Sequence, residues 1–258
     1  MKDTLCVLNY HGIESRKDEF FWHPGEKAYA LSTETFQLQL DQLRDVGLGM
    51  ISLNELGEWL NAEDGGGKRI LLTFDDGHLS HFRYVAPELK ERNLNGIFFI
   101  PTGLVGKKDS MGWTELRQLV KEGFNVGSHG HRHIPLTQLL QRELETELEL
   151  SKKMLEDRLG IEVSSFSVPR GFFHPRIRRA AKRAGYRYVF TSQFDLNRKG
   201  SDPFSLRRLA LRPEISLRRF SELLQGGLGI QRYSEKLKDL ARRFVPPAFY
   251  ENLTEMIR

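Results

Sequence analysis

The sequence is 258 residues long, which is enough for one large domain or two small ones with a substantial core. Its hydrophobic content of 39% and its ten dispersed prolines exclude a disordered protein. The net charge is +5, and the positive residues concentrate at 174–187 and 205–220. Such clusters permit contact with nucleic acid, anionic lipid or an acidic glycan, but solvated helix faces are the simpler interpretation, and we expect no nucleic-acid partner.

The N-terminal sequence offers no targeting segment. Its apolar run, LCVL, is too short for a secretory signal, and no other stretch approaches the roughly 20 apolar residues of a membrane-spanning helix. The single cysteine, Cys6, excludes an internal disulfide and fits a reducing compartment. We therefore expect a cytoplasmic protein without a transmembrane segment, and we leave peripheral membrane contact and the oligomeric state open.

Strand and helix patterns alternate along the chain. Apolar runs typical of buried strands lie at 4–11, 49–53, 69–77, 95–101, 124–130, 163–169, 186–192 and 206–211. Helical periodicity fills most of the gaps, at 33–47, 84–94, 113–123, 140–160 and 175–185. Four of these helical stretches end in glycine, as C-terminal caps do. The alternation predicts parallel strands in an α/β barrel of about seven units.

We expect the barrel to occupy residues 1–225. Residues 226–258 contain the basic amphipathic stretch YSEKLKDLARRF and are predicted to form a helical extension that covers a barrel end or binds a partner. In such barrels, chemistry collects at the C-terminal ends of the strands. Polar residues follow several predicted strands at this point: His11, Asp75, Asp76, His129, His133 and Arg170.

The segment GSHGHRH, 127–133, places three histidines within five residues. If the strand ends at His129 and a turn or helix begins there, His129 and His133 can converge on one point while His131 faces elsewhere. Two imidazoles with a carboxylate from another strand form a divalent-metal site that supports hydrolysis. A histidine cluster on a loop is otherwise often plain surface.

Asp75 and Asp76 stand side by side after the apolar run ILLTF, where burial and mutual repulsion penalise both charges. A plain turn or a helix N-cap is the alternative explanation for such a pair. A divalent cation would stabilise one aspartate as a ligand. The other, directed differently by the turn at Gly77, would then take a proton from the attacking water.

The stretches TFDDG (73–77) and HGHRH (129–133) together resemble the first and second motifs of the polysaccharide deacetylases of the NodB-homology type, carbohydrate esterase family 4. The resemblance covers about residues 5–220 and implies a distorted (β/α) barrel. It implies that Asp75 is the general base and that Asp76, His129 and His133 bind one divalent transition metal. Zinc is the expected metal, and cobalt, nickel, iron or manganese would fit the same donors.

The third motif departs from the family pattern. In SVPRGFF, 167–173, the proline and the glycine match, but Ser167 stands where the family has an arginine that orients the base. Arg170 is a nearby candidate to replace that arginine. The family's C-terminal general-acid histidine is absent, because no histidine follows residue 174. The N-terminal YH sequence resembles a motif of some members whose histidine takes this role, which implies His11 as the general acid.

The resemblance implies metal-assisted hydrolysis of an amide, in which His11 protonates the departing sugar amine. The expected substrate is an N-acetylated sugar in a polysaccharide, an oligosaccharide or a lipid-linked precursor. Arg170, Trp113 and Phe172 are candidate substrate-binding residues, although aromatic residues near strand ends are more often core. Two alternatives stay open: a small-molecule amidase on the same scaffold, and a non-catalytic barrel that binds glycan or nucleic acid.

Overall fold

A computed structural model describes residues 3–17, 20, 22, 27–63, 67–229 and 232–233. The strands are β1 (Thr4–Tyr10), β2 (Ile13–Glu14), β3 (Leu31–Ser32), β4 (Gly49–Met50), β5 (Lys68–Phe74), β6 (Ile97–Ile100), β7 (Asn125–Ser128), β8 (Ser165–Ser167), β9 (Tyr188–Phe190) and β10 (Leu209–Ala210). The helices are α1 (Thr33–Asp45), α2 (Leu53–Asn61), α3 (Ala86–Glu91), α4 (Trp113–Lys121), α5 (Gln141–Leu159), α6 (Pro175–Arg183) and α7 (Leu217–Leu224). A turn of π-helix, His81–Val85, precedes α3.

The main sheet is parallel throughout and joins seven strands in the order β10-β1-β5-β6-β7-β8-β9. Short β4 pairs with the beginning of β5, while β2 and β3 form a separate parallel pair. β1 and β5 share a long register, from Thr4 opposite Lys68 to Tyr10 opposite Phe74. The sheet curls into a half-barrel, so the prediction of a distorted barrel with about seven parallel strands is confirmed.

Within the described residues the predicted elements are present, and each of the eight predicted apolar runs overlaps a strand. The four glycines that end predicted helices, Gly47, Gly123, Gly160 and Gly185, all have positive φ angles. Glycine adopts this backbone conformation without the Cβ clash that other residues meet, which explains why the helices stop there. The structure adds two short helices, α2 and α7, to those predicted.

Side chains of the sheet alternate between an outer core under the helices and an inner core inside the half-barrel. In β1, Leu5 and Val7 belong to the inner core, and the next residue of this row is the buried polar Asn9. In β5 the same row runs from Leu71 to the buried Asp75. The interior therefore changes from apolar to polar toward the C-terminal ends of the strands.

Residues 226–258, predicted as a basic helical extension, lie outside the described residues except for 226–229 and 232–233. The domain boundary at residue 225 therefore stays a prediction, although α7 ends next to it, at Leu224. Within the described part of the chain, every helix is too short or too polar to span a bilayer.

Candidate active site

Two adjacent aspartates follow β5, and the backbone between them sends their carboxylates to different partners. The amide of Asp75 donates to the carbonyl of Tyr10, 3.0 Å away. Asp76 has a φ of 75°, in the left-handed region that residues other than glycine rarely occupy, and Gly77 follows at 63°. The chain therefore turns at once and separates the two carboxylates.

Asp75 is held by Arg208, which lies just before β10. Nη1 and Nη2 of Arg208 donate to the two oxygens of the carboxylate at 2.8 and 2.7 Å, which makes a bidentate ion pair. Asn9 Nδ2 and Ser167 Oγ also donate to Oδ2, at 3.3 and 3.2 Å. Burial raises the pKa of Asp75, but the charge of Arg208 and its hydrogen bonds outweigh burial and hold the pKa at about 2.

Arg208 is itself immobilised by further acceptors. Its Nε donates to the carbonyl of Thr191 at 3.0 Å, its Nη1 to Asn9 Oδ1 at 3.0 Å, and its Nη2 to Ser167 Oγ at 2.8 Å. Only 1% of Arg208 is exposed, so the interpretation of residues 205–220 as a solvated face is wrong at this position. The serine that replaces the motif arginine thus contacts an arginine from another part of the chain.

Sequence reasoning missed Arg208. The signal was present in LRRLAL, where a charged residue stands inside an apolar run, two positions after the buried Leu206. A charged side chain on the buried face of an extended segment requires a buried partner of opposite charge. Arg170, the candidate named from the sequence, is exposed and lies in a turn with a φ of 59°.

Asp76, His129 and His133 form the second cluster. Asp76 Oδ1 lies 3.3 Å from His129 Nε2 and 3.0 Å from His133 Nε2, and the three potential ligand atoms lie within 4.8 Å of one another. His129 Nδ1 lies 2.9 Å from the carbonyl of Ser167, which assigns the ring proton to Nδ1 and leaves the Nε2 lone pair for a cation. Burial raises the pKa of Asp76, but the two histidines outweigh burial and keep the pKa well below its usual range.

The cluster fits the predicted cofactor. Acceptor atoms that face one another at about hydrogen-bond distance need a proton or a cation between them, and Asp76 and His129 present such atoms. One carboxylate and two imidazoles suit zinc and other divalent transition metals. The residues present could therefore hold one divalent metal.

The two histidines meet through an irregular turn that follows β7, and His133 has a φ of 56°. Glu147 of α5 accepts hydrogen bonds from the backbone amides of His131 and Arg132 at 2.7 and 2.5 Å, and it also pairs with the Arg132 side chain at 2.8 Å. His131 Nδ1 lies 2.9 Å from Thr102 Oγ1, away from the cluster, as the spacing predicted. A buried carboxylate on a helix thus fixes the turn that carries both imidazoles.

His11 follows β1 at the same end of the barrel. Its ring lies 4.7 Å from the ring of Tyr29, and its buried Nδ1 has no hydrogen-bond partner among the described residues. Burial lowers the pKa of His11, whereas the carboxylates of Asp76 and Asp75 act in the opposite direction. The predicted general acid therefore lies within the electrostatic reach of both aspartates.

The three predicted substrate-binding residues are less closely tied to these clusters. The ring of Trp113, at the start of α4, lies 5.7 Å from the Arg158 guanidinium of α5, in the outer helix layer. Phe172 is only 3% exposed and therefore presents little surface for stacking on a sugar. Substrate binding by Trp113, Phe172 and the exposed Arg170 stays a prediction.

Comparisons with known proteins agree with the geometry. Residues 62–189 match the sequence profile of the family described as polysaccharide deacetylase. The Bacillus subtilis protein YxkH, which is named as a polysaccharide deacetylase, is 22% identical to this chain over 213 residues. The match covers 82% of this chain and 73% of YxkH. The peptidoglycan-N-acetylmuramic acid deacetylase PdaA of Bacillus subtilis is 28% identical over 127 residues, 48% of this chain and 47% of PdaA.

A solved structure extends the similarity to most of the fold. The structure of IcaB from Ammonifex degensii is similar to this chain with a TM-score of 0.74 and 27% identity, over 89% of this chain and 100% of that chain. The region that matches the family profile contains both aspartates of the site, His129 and His133. His11 and Arg208 lie outside it.

Proposed function

Because the chain belongs to the polysaccharide deacetylase family, we propose that it is a metal-dependent hydrolase that removes N-acetyl groups from an N-acetylated sugar. The sugar would be part of a polysaccharide, an oligosaccharide or a lipid-linked precursor. One observation carries the proposal. Asp75, which forms a bidentate ion pair with the buried Arg208, lies next to the cluster of Asp76, His129 and His133 at the polar end of the barrel. This arrangement supplies a base and a cation site for amide hydrolysis.

Asp76, His129 and His133 would hold the metal, for which zinc is our assignment from the donor set. When bound, the cation polarises the acetyl carbonyl and lowers the pKa of an adjacent water. The chain keeps Asp76 ionised, and the carbonyl of Ser167 keeps the proton of His129 on Nδ1.

Asp75 takes the proton from the attacking water. A pKa of about 2 keeps this carboxylate ionised at working pH but makes it a modest base, so its position matters more than its basicity. The bidentate grip of Arg208 fixes both carboxylate oxygens and hence the direction of the remaining lone pairs. Arg208 therefore takes the orienting task that the sequence resemblance left without a residue.

His11 delivers a proton to the amine nitrogen as the carbon–nitrogen bond breaks, so that acetate and a free sugar amine leave. Burial lowers the pKa of His11, which makes its protonated ring a stronger acid, and the nearby carboxylates favour that charged form.

Acetate release tests the proposal. Zinc-loaded protein is incubated with short N-acetylglucosamine oligomers and, in parallel, with N-methylacetamide as a simple amide. We expect acetate from the oligomers alone, and a rate at least about 100-fold lower for Asp75→Asn, because the general base is lost. Asp45→Asn, a change to an exposed aspartate at the end of α1, serves as the matched control and should keep the wild-type rate.

The other outcomes discriminate the alternatives. Acetate from both substrates would favour a small-molecule amidase. Salt-sensitive binding to glycan or nucleic acid, without acetate release at any metal loading, would contradict the proposal and favour a binding protein.

A further inference from the structure

Two side chains near the start of the π-helical turn hydrogen-bond to the loop that carries His11. His81 Nε2 lies 2.7 Å from the backbone carbonyl of His11. Ser80 Oγ accepts a hydrogen bond from the backbone amide of Ile13 at 3.0 Å. Ser80 and His81 are both fully buried, so these contacts are shielded from competing water. The segment after the two aspartates therefore forms hydrogen bonds with two backbone atoms of residues 11–13, the His11 carbonyl and the Ile13 amide.

The protonation state of His81 is defined by this contact. Burial lowers the pKa of His81 to about 4, so the ring is neutral near pH 7. A carbonyl only accepts hydrogen bonds, which places the single ring proton on Nε2. His81 Nδ1 is then buried without a hydrogen-bond partner among the described residues. Burial of an unpaired ring nitrogen costs free energy, and the hydrogen bond from Nε2 to the His11 carbonyl gives His81 a structural role.

The loop is also confined from its other side. Gly12 lies between the two gripped residues, and a Cβ atom added there would come within 2.0 Å of the Trp22 ring. Trp22 in turn stacks on His78, with ring centroids 4.2 Å apart, and His78 Nδ1 lies 2.8 Å from Ser80 Oγ. The backbone on either side of the His11 ring is therefore held by packing and hydrogen bonds together.

We infer that Ser80 and His81 are positioning residues, which hold the backbone of residues 11–13 so that the His11 ring stays aimed at the reacting amide. The inference rests on the proposed function, in which His11 is the general acid. Neither residue is proposed to touch substrate. Their loss should therefore lower kcat and leave KM and metal content unchanged.

Steady-state kinetics on the oligomer substrate test this inference. His81→Leu removes the donor at similar volume and should lower kcat about 10-fold, whereas His81→Gln keeps an N–H in reach of the carbonyl and should stay within about 3-fold of wild type. Ser80→Ala should lower kcat in the same direction. Ser165→Ala changes an equally buried serine of β8 and should leave kcat unchanged.

A double-variant comparison separates positioning from general destabilisation. If His81 acts through His11, His81→Leu should cost no further activity in a His11→Ala background. Losses that multiply would overturn the inference while leaving the proposed function intact. Equal rates for His11→Ala and wild type would overturn both the acid role and the inference, and a wild type without acetate release would overturn the proposed function.

Nuclear magnetic resonance of the ring nitrogens gives a readout that needs no activity. We expect His81 to be neutral and protonated on Nε2 at pH 7. A neutral ring protonated on Nδ1 would place two acceptors opposite each other, His81 Nε2 and the His11 carbonyl, and would overturn the inference even in an inactive protein. Backbone amide hydrogen exchange, measured on the same protein, should be faster at Ile13 in Ser80→Ala than in wild type.

Discussion

At Asp76 a single backbone torsion separates two neighbouring carboxylates. Its φ of 75° turns the chain, so that Asp75 meets Arg208 while Asp76 meets His129 and His133. Residues in such sparsely populated conformations cost about 1–3 kcal/mol and persist where the surroundings determine them. The strained backbone at Asp76 fits a site in which Asp75 and Asp76 have different roles.

Replacement of Arg208 by lysine tests how the proposed base, Asp75, is held. Lysine keeps the charge but cannot make both hydrogen bonds of the guanidinium, so kcat should fall about 10- to 100-fold with a small change in KM. Arg207→Lys, at an exposed neighbouring position, is the matched control and should match wild type. A variant at Arg208 that folds and turns over normally would contradict the orienting role.

The residues of the site differ in how far sequence can predict them. Asp75, Asp76, His129 and His133 lie in two short motifs, where spacing alone indicates which side chains can converge. Arg208 meets Asp75 across 133 residues, and no local spacing rule links them. A partner of this kind emerges only when the strands are assembled.

At the scale of elements, most strands and helices were predictable and the irregular turn after β7 was not. Strands and helices of the barrel follow from hydrophobic period and glycine caps. The helices α2 and α7, of nine and eight residues, were missed although α4 and α6, of nine residues each, were predicted, so length alone does not explain the difference. The turn after β7 is irregular and depends on Glu147, which α5 brings from elsewhere in the chain.

Glu147→Ala should weaken metal binding at the proposed site without changing a proposed ligand. Loss of the carboxylate frees the turn that carries His129 and His133, so metal affinity should fall about 10- to 100-fold, as measured by competition with a chelator. Glu149→Ala, at an exposed position of the same helix, provides the comparison and should bind metal as wild type does. Equal affinity in both variants would show that the turn does not need this anchor.

At the scale of the whole molecule, the site is assembled by closure of the sheet. His11 follows β1, the aspartates follow β5, the histidines follow β7, and Arg208 precedes β10. The inner core below them is apolar and is covered by α2. The polar end of the barrel therefore forms only when most of the chain has folded.

Cys6 reports on this closure. It lies in β1 with 3% exposure, and burial raises the pKa of its thiol to about 12. We expect labelling by a disulfide reagent at pH 8 to be at least about 1,000-fold slower in the native protein than in guanidinium, because it requires opening of the sheet. Rapid native labelling would mean that β1 is not held in the centre of the fold.

The most direct test of a metal-dependent deacetylase site is the metal content of the purified protein, measured by elemental mass spectrometry beside His133→Ala and Asp76→Asn. We expect about one divalent transition metal per chain in the wild type and its loss in both variants, since each removes a proposed ligand. A wild type that holds no metal and cannot be loaded with zinc, cobalt or nickel would contradict the mechanism at its central step.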